Sequence, residues 1–263
     1  VDDEARQALR IERTGSVATY WLDRPARRNA FTQAMWRTLT ADMEHISADP
    51  SVRLVVFRSA APGIFSAGAD VNEYRANAAD VDWALQSQRV VAEALSAVAE
   101  CAAPTLAAID GPCFGGGAGL AVACDVRIAT DVSTFAVTPA KLGMIYPHSD
   151  TTALVDLIGI AATKQILFTG RTFDAAEALR LRFVDEVVPA DDLDGAIERA
   201  VSAFMAVSGV SVRLMKQAIR LIAEGQRTPD ERTDARLHEA LASPDFHEGV
   251  SAFLDRRPPA FGT

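Results

Sequence analysis

The chain is poor in the residues that build many common kinds of site. Its three cysteines, Cys101, Cys113 and Cys124, are odd in number and lack a C-x-x-C spacing. That pattern excludes a disulfide framework and reads as reduced, small core residues. The four histidines are scattered, and no spacing of His, Cys and carboxylates marks a metal site. G-x-G-x-x-G and Walker patterns are absent, which argues against the usual nucleotide cradles. Positive charge is the minority sign, with 26 Lys and Arg against 35 Asp and Glu. A net charge of -9 excludes a general nucleic-acid binder, so a phosphate-bearing ligand must meet a local arginine cluster. Apolar runs approaching the roughly 20 residues of a bilayer span are not evident, so no membrane association is expected. The opening Val1-Asp2-Asp3-Glu4 is acidic, unlike a signal peptide, and a cytoplasmic location follows as an expectation.

What the chain does have is small residues at the ends of apolar segments. Thr105-Leu106-Ala107-Ala108-Ile109 reads as a buried strand, and Gly115-Gly116-Gly117 follows it, just before an apolar helix through Cys124. A strand-to-helix corner of this kind exposes helix-start amides that lack intrahelical partners, and glycine lets a ligand approach them. Such a corner holds negative charge. A triple glycine also serves as a plain tight turn. A second strand, Leu54-Val55-Val56-Phe57, leads to Phe65-Ser66-Ala67-Gly68-Ala69-Asp70-Val71, again composed of small residues. Two strand-end loops can supply one amide each.

Periodicity organises the remainder. Ala8 to Arg13 and Val17 to Leu22 read as a hairpin, and Thr32 caps a helix to about Ala48. Strand, loop and helix then recur: a long helix near Trp83 to Cys101, and short strands at Val126 to Ala129 and Thr134 to Val137. The order indicates an α/β core. After about residue 190 the pattern becomes helical, at Asp191 to Ala206, Ser211 to Glu224, Pro229 to Leu241 and Asp245 to Leu254. The expected division is a core over 1-190 and a helical region over 191-263, whose apolar faces must bury against the core or a neighbouring subunit.

Three segments carry a resemblance. Leu22-Asp23-Arg24-Pro25-Ala26-Arg27-Arg28-Asn29-Ala30-Phe31, the Phe65 to Val71 loop and the glycine corner, in that order, resemble the crotonase family, also called the enoyl-CoA hydratase/isomerase superfamily. The likeness continues through Phe135 to Gly143 and ends at Phe253 to Phe261. It implies a spiral of ββα units with a C-terminal helical oligomerisation region, a homotrimer or dimer of trimers, and a role in fatty acid metabolism. It also implies an acyl-CoA substrate, with coenzyme A arriving as part of it and no permanently bound cofactor.

By the same resemblance the amides of Ala67 and Gly116 polarise the thioester carbonyl, and removing one such donor costs about 2.7 to 4 kcal/mol of transition-state stabilisation. Arg27, Arg28 and Ala30, with Ser66, Gly68, Ala69, Asp70, Val71 and Gly117, match positions along the coenzyme A moiety and its loop. Family hydratases carry two glutamates, and their positions here are Gly119 and Ala140. Each missing acid or base costs about 10²- to 10⁴-fold in water addition. Tyr146, His148 and Asp150 stand where small residues are usual. The Thr138-Pro139-Ala140-x-Leu142-Gly143-x-x-Tyr146 pattern resembles the decarboxylase branch, including methylmalonyl-CoA decarboxylase, whose chemistry needs an oxyanion hole but no base. That branch has a histidine where this chain has Ala69, and His148, oriented by Asp150, is the compensating candidate.

The favoured expectation is therefore an acyl-CoA lyase or isomerase that forms a thioester enolate, with a lean towards decarboxylation. The alternatives are a hydratase or isomerase with an unusual base, and a catalytically silent acyl-CoA binder. Asp125, Asp70 and Glu73 read as structural or capping carboxylates, His45 as a surface residue, and His238 and His247 as buried helix positions.

Overall fold

The computed structural model describes residues 3–262, so Val1 and Asp2 of the acidic opening lie outside the described residues. Helix α1 (Asp3–Ala8) leads into the hairpin of β1 (Leu9–Thr14) and β2 (Val17–Leu22), which the alternation anticipates. Next come α2 (Gln33–Ala48), β3 (Leu54–Ser59), α3 (Val71–Ala76), α4 (Val81–Glu100), β4 (Thr105–Ile109), β5 (Pro112–Phe114) and α5 (Gly116–Ala123). The chain continues with β6 (Val126–Thr130), β7 (Thr134–Ala136), α6 (His148–Thr169), β8 (Thr172–Asp174), α7 (Ala175–Arg180) and β9 (Glu186–Val188). It closes with α8 (Leu193–Met205), α9 (Gly209–Ala223), α10 (Glu231–Ala242) and α11 (Pro244–Asp255).

Six strands form the main sheet in the order β1-β2-β3-β4-β6-β9, and β5-β7-β8 form a smaller one. From β2 to β9 the main sheet is parallel. Parallel strands need both faces covered, and side chains alternate between those faces. Val55, Phe57, Ala107 and Ile109 point into a core with Trp36 and Leu39 of α2, Leu95 of α4 and Leu120 of α5. Leu54, Val56, Leu106, Ala108 and Ile128 point the other way, against Leu193, Ala196 and Ile197 of α8. The change of character near residue 190 is therefore a change of element type: α8 covers the second face of the sheet.

The capping of α2 is as expected, with the Thr32 hydroxyl accepting from the Met35 amide at 3.2 Å. All three cysteines are buried and free. Helix α6 was not legible, and it modifies the expectation about apolar runs. It spans 22 residues, and its most apolar stretch reaches a mean hydropathy of 1.3, enough by length and composition for a bilayer span. Gly159, with φ +78, breaks it in the middle. Asp150 and Leu154 face inward and are buried, whereas His148, Ser149, Thr152 and Ala153 are exposed. His238 and His247 are exposed, contrary to the expected burial, because α10 and α11 turn those positions outward.

Arg53 is one of the side chains that tie the helical region to the core. Arg53, just before β3, donates to the carbonyls of Phe204 and Met205 at the end of α8, to Val207 beyond it, and to Phe261. A cation among the last carbonyls of a helix meets the negative end of its dipole and satisfies acceptors the helix cannot. Arg53→Ala leaves those carbonyls short of a charged donor, at about 1.5–3 kcal/mol for such hydrogen bonds. The melting temperature is expected to fall by about 3–5 °C by calorimetry, with Arg53→Lys intermediate.

Candidate active site

Two parallel neighbours, β3 and β4, end at the same edge of the sheet, Arg58 lying beside Ala108. The loops that follow them therefore emerge side by side, the usual place for a site in a parallel sheet. The first loop binds the second directly. The amides of Phe65 and Ser66 donate to the Pro112 carbonyl at 3.1 and 3.0 Å, and the Phe114 amide donates to the Ser66 carbonyl at 2.9 Å. Asn29 fixes the loop from beneath, its side-chain amide donating to the Phe65 carbonyl and to Ser59, while the Ser66 hydroxyl donates to the Asn29 carbonyl. Both side chains are fully buried.

Glycine is required where these loops meet. Gly115 has φ +52 and ψ -117, outside the regions open to other residues. Gly68 has φ +93, and a Cβ there would stand 2.7 Å from the Phe114 carbonyl oxygen and 2.8 Å from the Gly116 nitrogen. The contact places Gly116, at the first turn of α5, beside the small-residue loop.

The amide partners correct one expectation. Ala67 lines the cavity, but its amide donates to the Arg28 carbonyl at 2.9 Å and is not available to a ligand. Ala69 takes that place. The chain pairs with Phe31 on either side of it, Phe31 donating to the Gly68 carbonyl and Asp70 to the Phe31 carbonyl, so the Ala69 amide points the opposite way. Neither the Ala69 nor the Gly116 amide has a hydrogen-bond acceptor among the described residues. An ideal Cβ on Gly116 would lie 3.5 Å from the Ala69 nitrogen, and both residues line one cavity of about 140 Å³. The pair of convergent donors is thus Ala69 and Gly116. Three small residues in a row hide this from sequence reading, because the choice depends on which amide the bridge to Phe31 leaves over.

The cavity wall is mostly apolar, with Trp36, Val91, Leu95, Met144 and Ile145 among its lining. Among the described residues its one carboxylate is Asp150, and no arginine, lysine or histidine lines it. Asp150 stands in the first turn of α6, is 8% exposed, and accepts from the Ser149 hydroxyl at 3.0 Å. Burial pushes its pKa up, and the Ser149 hydrogen bond only partly opposes this. Tyr146 also lines the cavity, and burial, with the nearby Asp150 charge, raises its phenol pKa far above the ordinary value. An ideal Cβ on Gly119 would lie 3.4 Å from the Tyr146 hydroxyl, so Tyr146 stands within ordinary contact distance of that position. His148 starts α6 exposed and does not reach the cavity, because the helix turns it to the outer face.

The other expected positions divide. Val71 joins Ala69 on the cavity wall, whereas Ala30, Ser66, Gly68 and Gly117 are buried as supports behind it. Asp70 is also a support, accepting from Arg24 at 2.7 Å and capping α3 through the Asn72 amide at 3.0 Å. Burial opposes its charge, yet Arg24 and the Asn72 hydrogen bonds hold its pKa below the usual carboxylate range. Glu73 accepts from the Gln33 amide at 2.9 Å and so caps α2 rather than its own helix. Asp125 satisfies the Thr105 amide at 2.7 Å and pairs with Lys216 at 2.6 Å. Arg27 and Arg28 are exposed on the turn whose carbonyl holds Ala67. Ala140 is exposed.

Comparison with known proteins agrees with this architecture. The family model described as Enoyl-CoA hydratase/isomerase matches residues 12–263. The "Probable enoyl-CoA hydratase" of Mycobacterium bovis is 32% identical over 256 residues, covering 97% of this chain and 98% of the relative. The mitochondrial methylglutaconyl-CoA hydratase of Rattus norvegicus is 29% identical over 270 residues, covering 99% and 84%. A crystal structure of an enoyl-CoA hydratase/isomerase family protein from Hyphomonas neptunium superposes with a TM-score of 0.93 at 37% identity, covering 97% of each chain. With two parallel strands delivering paired small-residue loops to one cavity and the family model spanning nearly the whole chain, the protein belongs to the enoyl-CoA hydratase/isomerase family.

Proposed function

We propose that the protein binds an acyl-CoA thioester with its carbonyl oxygen between the amides of Ala69 and Gly116, and that Asp150 moves the proton at the alpha carbon. The observation that carries this reading is the presence, on one cavity, of two unpartnered amides and one buried carboxylate. Charge leaving the alpha carbon collects on the thioester oxygen, where preorganised amides stabilise it without reorganising. Asp150 supplies the acid or base that Gly119 and Ala140 cannot. Tyr146 closes the wall beside it and orients the bound acyl group.

This reading moves the weight from decarboxylation to proton transfer, as in an isomerase or hydratase. A malonyl-type substrate brings its own carboxylate into a cavity lined by no cationic side chain and already holding Asp150. Hydratase names among the relatives lean the same way. Arg27 and Arg28, exposed beside the loop, supply the local positive charge for the phosphates of coenzyme A. Exposed apolar side chains on the helical region, among them Ile219, Leu237, Phe253 and Leu254, suit a trimer-based assembly.

The test is incubation with enoyl-, malonyl-, methylmalonyl- and saturated acyl-CoA esters in D₂O, followed by mass spectrometry. Deuterium at the alpha carbon is the expected result; its absence from every ester, with saturable binding intact, would leave only a silent binder. Asp150→Asn is expected to slow exchange by about 10²- to 10⁴-fold. Because the base is the ionised form and its pKa is raised, the acid limb of the wild-type rate profile should lie above the ordinary Asp value of about 4. The same variant should melt higher than wild type at neutral pH, since ionised Asp150 destabilises the fold there. That advantage should vanish at acid pH, where both states hold the proton. Replacing Arg27 and Arg28 together by Ala should raise KM for acyl-CoA by about tenfold at unchanged kcat, a loss of uniform binding. The matching acyl-pantetheine thioester, which lacks the nucleotide phosphates, should show no such change.

A further inference from the structure

A second cavity, of about 220 Å³, lies behind the first and shares Leu95, Tyr146 and Asp150 with it. These three side chains are the partition between the two spaces. The second cavity is otherwise walled by small or short side chains of α4, α5 and α6, including Ala92, Ala99, Val122, Ala123 and Ala153. The partition is seated on Gly119. An ideal Cβ there would approach the Leu95 Cδ1 atom to 3.0 Å, so that the leucine would have to give by a few tenths of an ångström, and would meet the Tyr146 hydroxyl in ordinary contact at 3.4 Å. With glycine in place, Leu95 is 6% exposed and closes the inner end of the first cavity.

From this arrangement we infer that Leu95 and Tyr146, resting on Gly119, set acyl-chain length, restricting the protein to short acyl groups by walling off the space a longer tail would use. The inference rests on the acyl-CoA reading of the site. A short acyl group fills the first cavity, whereas a longer one meets the Leu95 side chain. Truncating Leu95 joins the two cavities and gives the tail an apolar lining. Each methylene accommodated in an apolar pocket discriminates by about 10- to 200-fold, so the shift is large enough to read.

The experiment compares alpha-proton exchange of butyryl-CoA and decanoyl-CoA in D₂O. The unaltered protein should exchange butyryl-CoA at least about tenfold faster. Leu95→Ala should raise the decanoyl to butyryl ratio by about tenfold or more. Adding Ala123→Phe, which fills the second cavity, should take that gain away again. Equal use of both esters by the unaltered protein would overturn the inference without any variant, so a Leu95→Ala protein that failed to fold would not shelter it. A ratio unmoved by a folded Leu95→Ala would overturn it too. Absence of exchange with either ester sinks the acyl-CoA enolate reading itself, whereas exchange with both at equal rates sinks only the chain-length inference.

Discussion

The site depends on the close approach of two backbone segments. Gly68 lies so near the Phe114 carbonyl and the Gly116 nitrogen that no Cβ fits between them. This contact exists because β3 and β4 are parallel neighbours, and because Ser66 pairs with Cys113 before the first loop reaches the cavity. The buried Asn29 and Ser66 side chains then hold the loop's path. Backbone donors built this way have no side chain to replace. Their aim is a property of the fold, and the reaction is decided by what stands on the opposite wall.

Among the described residues the cavity lining carries one carboxylate, Asp150, and two phenols, Tyr74 and Tyr146, in a largely apolar setting. Burial without a cationic partner keeps Asp150 ready to accept or give a proton at higher pH than an exposed carboxylate. Its place in the first turn of α6 tempers the cost, since the positive end of a helix favours negative charge. The absence of side chains at Gly119 and of a carboxylate at Ala140 thus does not empty the site of acid and base. Under the proposed reading that function falls to Asp150 on α6.

The sequence displayed most of the architecture because its signals are local. Alternation located the β1-β2 hairpin, the apolar run Thr105 to Ile109 located a buried strand, and Thr32 marked the start of α2. The glycine corner was legible for the same reason, since a helix start exposes amides whatever surrounds it, and the resemblance pointed to Gly116 within it. The companion donor could not be assigned. Ala67 and Ala69 are chemically alike, and only the non-local bridge to Phe31 and the hydrogen bond to Arg28 decide between them. Tyr146, His148 and Asp150 present the same difficulty. Their sequence stretch reads as a loop, yet α6 begins at His148, and its first turn sends Asp150 inward and His148 outward. The short β8, α7 and β9 were missed because three to six residues carry too little periodicity to register.

The Arg53 cluster has a consequence for how the molecule forms. It joins positions as far as 208 residues apart in the chain, through the Phe261 carbonyl. Closing so long a loop costs chain entropy that a few hydrogen bonds do not offset alone. The contact therefore holds only when the start of β3 and the C-terminal segment are both in place, and the guanidinium fastens the end of α8 and Phe261 to the sheet.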